Sequence, residues 1–69
     1  MLWKFNYTVR DEFFTSDHSC VIFANSFKEA KEYFYNYVNE QCFRFNEILI
    51  EDSIIVKELD IGNPIVYYD

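Results

Sequence analysis

The chain has 69 residues, of which twelve are Asp or Glu and six are Lys or Arg, so its net charge is −6, and 22% of its residues are aromatic. So short a chain is expected to form one domain, residues 1–69, because two units could not each bury a core. The acidic balance argues against direct nucleic-acid binding and membrane association and favours a basic protein partner. Only two Cys and no signal-like segment predict a cytoplasmic protein with reduced thiols.

The first segment alternates between apolar and polar side chains and predicts a half-buried strand. Its apolar face carries Trp3, Phe5, Tyr7 and Val9. Residues 15–18 form a turn signal, and residues 19–24 predict a second strand that folds back on the first.

Closing this hairpin at residues 15–18 places Phe13 opposite Cys20. The same register places Val9 opposite Ala24. Strand alternation then separates two sets of side chains. The set on the ring-bearing face is Cys20, Ile22 and Ala24, and the set on the opposite face is Phe14, Val21 and Phe23.

Ser26 and Glu29 form a capping box that predicts the start of a helix, and the helical pattern ends near Gln41. The apolar stripe consists of Phe27, Ala30, Phe34, Tyr37, Val38 and Gln41. The polar face carries Glu29, Glu32, Asn36, Asn39 and Glu40. Tyr33 and Tyr35 border the stripe, where a ring can pack its body inward and keep its hydroxyl in water.

Two Ile-rich and Val-rich runs at residues 47–50 and 54–59 flank the polar break at 51–53 and predict a second hairpin. Residues 62–64, which are Gly, Asn and Pro, predict a turn before a short edge strand at residues 65–68. The predicted fold class is therefore α+β: an antiparallel sheet with ββαββ order and one helix packed on one face.

His18 and Cys20 are the Cys–His pair to consider for nucleophilic catalysis. We interpret Cys20 as a core thiol and His18 as a turn residue, because no third group is identifiable to orient the imidazole. A structural zinc site needs four ligands grouped in the sequence, and this chain has two isolated Cys and one His. Residues 51–53 lack the regularly spaced acidic residues and the Gly of a calcium-binding EF-hand loop. We therefore expect no catalytic residues, no metal site and no cofactor, so that the protein is not an enzyme.

The acidic side chains are expected on the helix and around the second hairpin, where they form a candidate partner-binding surface. These residues are Glu29, Glu32, Glu40, Glu47, Glu51, Asp52, Glu58 and Asp60. The rings expected to act as exposed anchors are Phe14, Phe23, Tyr33 and Tyr35. One interpretation is a surface that only keeps the protein soluble. The other is a negative ridge that imitates a phosphate backbone and occupies the basic groove of a nucleic-acid-binding protein.

In being tiny, acidic, single-domain and without catalytic motifs, the chain resembles the anti-defence proteins of phages and mobile elements, anti-CRISPR inhibitors in particular. The resemblance covers overall character and not a motif. It implies a stoichiometric inhibitor that binds a nuclease complex at its DNA-binding cleft in the cytoplasm of a bacterial host. The alternative is a structural or assembly protein that homodimerises through the open sheet face or through the edge strand at 65–68.

Overall fold

The computed structural model describes residues 1–59 and the backbone of residues 65–67. In chain order the elements are β1 (Leu2–Arg10), β2 (Thr15–Phe23), α1 (Phe27–Phe45), β3 (Ile48–Glu58) and β4 (Ile65–Tyr67). The strands form one antiparallel sheet in the order β2-β1-β3-β4, and α1 packs on one of its faces. The predicted α+β class is confirmed. The predicted ββαββ layout is matched only in part, because its second hairpin is a single strand.

The core lies between α1 and the apolar face of β1 that the alternating pattern predicts. Four side chains of β1 are buried there: Trp3, Phe5, Tyr7 and Val9. The ring of Phe34 stacks on Phe5 with a centroid distance of 4.3 Å and meets Tyr7 edge-on at 5.2 Å. The core therefore depends on aromatic packing, in which each ring buries a large area.

The first hairpin turns at residues 11–14 and not at the predicted residues 15–18. The Asp11 carboxylate accepts hydrogen bonds from the backbone amides of Phe13 at 2.8 Å and Phe14 at 2.7 Å. The Asp11 amide in turn donates to the Phe14 carbonyl at 2.9 Å. An Asp that binds amides two and three residues further along stabilises a tight turn. The polar residues 15–18 consequently lie within β2.

The predicted register of this hairpin is wrong. Cys20 pairs with Phe5 and not with Phe13, and the predicted pairing of Val9 with Ala24 does not occur. The partner of Cys20 differs from the predicted one by eight residues, an even number, so the side chains within β2 keep their predicted faces. The predicted placement of Phe14 on the same face as Val21 and Phe23 is wrong, because Phe14 lies in the turn before β2. Toward α1 lie Cys20, Ile22 and Ala24, whereas the open face of the sheet carries Val21 and Phe23.

Helix α1 begins as predicted and continues beyond its predicted end. The Ser26 hydroxyl accepts the Glu29 amide at 3.2 Å, while the Glu29 carboxylate accepts the amide of Asn25 at 3.3 Å. The helix continues to Phe45 because Asn46 adopts the left-handed conformation (φ 55°, ψ 49°) and closes a Schellman-type cap. Asn tolerates this conformation better than most residues, so the chain ends the helix here without a glycine.

The predicted second hairpin is wrong, because residues 48–58 form one strand, β3, with an irregularity at residues 51–53. The Ser53 hydroxyl accepts the Thr8 amide at 2.8 Å and lies 2.5 Å from the Ile50 carbonyl. It thereby replaces a backbone partner and lets the strand continue past the polar break. The predicted edge strand is present as β4 over residues 65–67. Tyr68 and the predicted turn at 62–64 lie outside the described residues.

Candidate functional site

The β1–β2 turn, the last turn of α1 and the start of β3 lie at the same end of the domain. Arg10, at the end of β1, pairs with Thr15 of β2 and with Ile48 of β3. Phe45 lines a cleft together with Val9, so the carboxyl end of α1 lies beside these strand ends. Residues that are distant in sequence thus form one surface.

The negative charge is concentrated in the half of the domain that contains this end. We call this half the acidic half and define it by its carboxylates, which are Asp11, Glu12, Asp17, Glu40, Glu47, Glu51 and Asp52. Two arginines, Arg10 and Arg44, accompany these seven carboxylates, and Arg44 is paired with Glu40 at 3.2 Å. In the other half, four lysines (Lys4, Lys28, Lys31 and Lys57) accompany Glu29, Glu32 and Glu58. The charge is therefore strongly polarised along the domain.

Four exposed phenylalanines lie at the tip of the acidic half. Phe13 is 78% and Phe14 is 73% exposed in the β1–β2 turn, and Phe43 is 90% and Phe45 is 60% exposed at the end of α1. Ile48 beside them is also exposed. Several large apolar side chains this exposed at one end of a domain are typical of interaction surfaces. Since the seven carboxylates lie in the same half, this part of the domain combines apolar anchors with negative charge.

A small polar cleft lies between this end of α1 and the sheet. Its volume is about 150 Å³, and its polar lining includes Tyr7, His18, Gln41, Cys42 and Glu47. The rings of Tyr7 and His18 lie nearly parallel at 5.7 Å. The cleft is smaller than the roughly 300 Å³ at which small-molecule sites begin, and it is about large enough for one side chain.

Burial favours the neutral forms of Tyr7 and of the two cysteines near this cleft. Burial raises the pKa of Tyr7 to about 12, and the nearby thiols, Tyr37 and Glu47 add to the effect. Burial also raises the pKa of Cys20. The pKa of Cys42 is raised mainly by burial and to a lesser extent by the charge of Glu47. Both thiols are free, and raised pKa values keep them in the unreactive protonated form.

His18 lies in β2 and not in a turn, which corrects its predicted placement. It shares the helix-facing side of the strand with Cys20, two residues further along. Among the described residues, no three His, Cys, Asp or Glu side chains are grouped so that they could hold a metal ion.

The structure exposes most of the predicted site residues but does not join them into one surface. Exposed are Phe14, Phe23, Tyr33, Glu32, Glu40, Glu51 and Asp52, and half-buried are Glu29, Glu47 and Tyr35. The Tyr35 hydroxyl donates to the Glu51 carboxylate at 2.7 Å. Phe14 lies at the tip of the acidic half, whereas Phe23 lies at the opposite end of β2. Asp60 lies outside the described residues.

The predicted surface placement of Glu58 is wrong, because its side chain is only 7% exposed. Glu58 lies opposite Trp3 and follows Ile54 and Val56 on the helix-facing side of β3. Its Oε1 atom and the Trp3 Nε1 atom are buried and have no hydrogen-bond partner within the described part of the chain. Glu58 therefore cannot contribute to an acidic surface.

The acidic half includes residues that the sequence prediction missed. Its new members are Asp11, Glu12, Asp17, Phe13, Phe43 and Phe45. Their proximity depends on the hairpin register and on the extension of α1. The signal that could have located the turn is Asp11 itself, since Asp often begins tight turns. The signal for the helix end is Asn46.

Comparisons with protein-family models, with curated proteins and with solved structures found no match. Within residues 1–59 and 65–67, no helix has the length and apolar character required to cross a membrane.

Proposed function

We propose that this protein is a non-catalytic inhibitor that binds a basic surface of a partner protein through its acidic half. The partner surface is the nucleic-acid-binding groove of a nuclease or another nucleic-acid-binding complex in the cytoplasm. The observation that carries the proposal is the coincidence of seven carboxylates and four exposed phenylalanines in one half of the domain. The class resemblance to anti-CRISPR inhibitors supports the same function.

Charge and rings have different roles in such a complex. Carboxylates accelerate the encounter with a basic groove and align the two proteins, and salt weakens this effect. Exposed aromatic side chains supply apolar area that is buried on binding, and a few such side chains usually account for most of the affinity. The turn that presents Phe13 and Phe14 is held by the hydrogen bonds that their backbone amides donate to the Asp11 carboxylate. Presenting these rings on an ordered turn lowers the entropic cost of binding.

A nucleic-acid groove suits this surface because it is built to bind closely spaced negative charges. Duplex DNA carries one charge for each roughly 1.7 Å of its axis, so its binding grooves contain many Arg and Lys side chains. An acidic protein that occupies such a groove excludes nucleic acid by steric overlap and by repulsion. Direct binding of nucleic acid to the acidic half is opposed by the same charges.

The test is affinity capture from bacterial lysate on immobilised protein, followed by elution with duplex DNA. Two variants provide a matched comparison: Glu12→Gln with Asp52→Asn changes the acidic half, and Glu29→Gln with Glu32→Gln changes the other half. Both variants remove two negative charges, so a difference between them reports position and not total charge. We expect DNA to release the captured protein from the wild type and from the second variant, and the first variant to retain much less of it.

Two results would contradict the proposal. One is capture that the Glu12 and Asp52 changes leave intact. The other is a captured protein that duplex DNA does not displace, because the two ligands would then occupy different surfaces.

A structural protein that assembles from identical copies is the second candidate. The observation that favours it is the exposure of Val21 and Phe23 on the open face of the sheet. Light scattering tests this candidate: a protein that stays monomeric at high micromolar concentration would contradict it, whereas self-association alone does not contradict an inhibitor.

A further inference from the structure

Strand β2 forms one edge of the sheet, and within the described residues no strand pairs with its outer side. All nine residues of β2 pair with β1 in an uninterrupted register. The strand contains no proline, lysine or bulge, three of the features that natural proteins use to block edge pairing. Its one carboxylate, Asp17, accepts a hydrogen bond from the Thr8 hydroxyl at 2.7 Å. This edge is therefore open to the addition of another strand.

The direction of the free backbone groups follows from two hydrogen bonds at the ends of the hairpin. The Ala24 amide donates to the Met1 carbonyl, and the Asp11 amide donates to the Phe14 carbonyl, each at 2.9 Å. Hydrogen-bonded pairs alternate along an antiparallel ladder, so the even-numbered residues of this segment bond to β1. The odd-numbered residues direct their N–H and C=O groups outward: Thr15, Asp17, Ser19, Val21 and Phe23.

A groove of about 500 Å³ runs along this edge on the helix side. Tyr33 and Tyr37 of α1 line one wall, and Cys20, Val21 and Ile22 of β2 line the other. Both tyrosines are about half exposed. A strand added at the edge would direct alternate side chains into this groove and the others toward the open face.

We propose that the strand added at this edge is β2 of a second copy, antiparallel about a two-fold axis at Val21. In this register Val21 faces its own counterpart, and Cys20 faces Ile22 inside the groove. Phe23 lies opposite Ser19, and Asp17 lies opposite Asn25, so no like charges face each other. An axis at Ser19 would instead place Val21 opposite Asp17, an apolar side chain against a charge.

The resulting geometry leaves room for both helices. Phe34 packs on Phe5 and Tyr7, so α1 lies over β1. The two β1 strands are three strand spacings apart, which places the helices about 14 Å from each other. Helices in contact are about 8–10 Å apart, so the tyrosines of both copies can fill the space between them. The exposed area of Val21, Phe23, Tyr33 and Tyr37, together with the backbone edge, amounts to roughly 1,000 Å² in total, which is near the lower limit for a specific interface.

The net charge does not oppose this dimer. Asp17, the carboxylate of the acidic half that lies in β2 itself, is four residues from the axis, so the two Asp17 residues are about 26 Å apart and on opposite sides. This distance is several times the screening length of about 8 Å in physiological salt. The dimer would present its two acidic halves in opposite directions. The inference does not depend on the proposed function.

Sedimentation equilibrium at high micromolar protein concentration tests the dimer. We expect the wild type to have twice the monomer mass. Val21→Lys should raise the dimer dissociation constant at least about tenfold, because it places two lysines opposite each other at the axis. Ile48→Lys is the matched control: it also replaces an exposed β-branched residue by Lys, but in β3, and should leave the dimer intact. Circular dichroism verifies that each variant is folded.

Disulfide trapping tests the register, in a chain whose Cys20 and Cys42 are replaced by Ala. Val21→Cys places two Cα atoms about 5.5 Å apart across the axis, within disulfide range, and should form an oxidised dimer. Ser19→Cys places them about 13 Å apart along the strands and should not. A wild type that stays monomeric overturns the proposal. A Val21→Lys dimer as stable as the wild type, or trapping through position 19 alone, overturns it equally.

Discussion

Replacing Phe34 by Ala removes the ring on which the aromatic core is centred. Phe34 is fully buried and contacts the rings of Phe5, Tyr7 and Tyr35. Truncating a buried Phe to Ala costs about 3–5 kcal/mol. The ring pairs lost here add to the burial term, so we expect the upper part of that range.

This loss is large relative to the stability of so small a domain. At about 0.05–0.15 kcal/mol per residue, a chain of this length has roughly 3–10 kcal/mol of unfolding free energy. With a urea dependence of about 1–1.5 kcal/mol per molar, the unfolding midpoint should fall by about 3–5 M. The variant should therefore lose its folded baseline or retain only a short one.

Phe43→Ala is the matched control, because Phe43 lies in the same helix but is almost fully exposed. Its unfolding free energy should stay within about 0.5 kcal/mol of the wild type, while binding to the captured partner should weaken. Urea titration followed by circular dichroism and by the fluorescence of buried Trp3 measures both variants. A Phe34→Ala midpoint close to that of the wild type would refute the aromatic core described above.

Three further predictions concern local interactions. Ser53→Ala removes the hydroxyl that bridges the β3 irregularity and should lower the unfolding free energy by about 1–2 kcal/mol, as measured by urea titration; an unchanged midpoint would contradict that role. The hydrogen bond from the backbone amide of Phe13, with a smaller contribution from that of Phe14, holds the pKa of Asp11 below its ordinary value of 3.8. The stability gained from the Asp11 carboxylate is therefore present above that value and is lost as the pH falls through the lowered pKa, so Asp11→Asn should flatten the acid limb of a stability–pH curve. Burial raises the pKa of Tyr7 from 10.0 to about 12, so the stability gained by keeping it neutral is present below pH 10 and is lost as the pH rises toward 12. In an ultraviolet titration, Tyr7→Phe should remove a tyrosine transition near pH 12, and loss of a transition near pH 10 instead would contradict this environment.

Features that depend on neighbouring residues could be predicted from the sequence. The buried face of β1 follows from alternation, and the start of α1 follows from Ser26 and Glu29. The α+β class followed because these elements were of the right type and order. The faces of β2 were predicted even though the register was wrong, since the error was an even number of residues.

Features that depend on competition between signals could not be predicted in this way. Residues 11–14 and 15–18 both carry turn signals. The hydrogen bonds that the Asp11 carboxylate accepts from backbone amides place the turn at residues 11–14. Asn46 ends α1 where a glycine would usually be expected. Ser53 converts an apparent hairpin break into an irregularity within one strand. The acidic half depends on these features, so its residues were only partly identified.

Burial of a charged residue is a tertiary effect that composition does not reveal. Glu58 was expected on the surface because Glu is usually exposed. Its position in β3 places it opposite Trp3 on the helix-facing side. The predicted acidic surface around a second hairpin therefore loses one member, while the turn at Asp11 and Glu12 adds others.

The measurement that tests the proposed function most directly is the salt dependence of affinity for the captured partner. We expect the dissociation constant of the wild type to rise steadily with salt concentration. Glu12→Gln with Asp52→Asn should reduce the slope of this dependence, whereas Glu29→Gln with Glu32→Gln should leave it close to that of the wild type. Equal slopes for the two variants, or an affinity that salt does not change, would contradict binding through the acidic half.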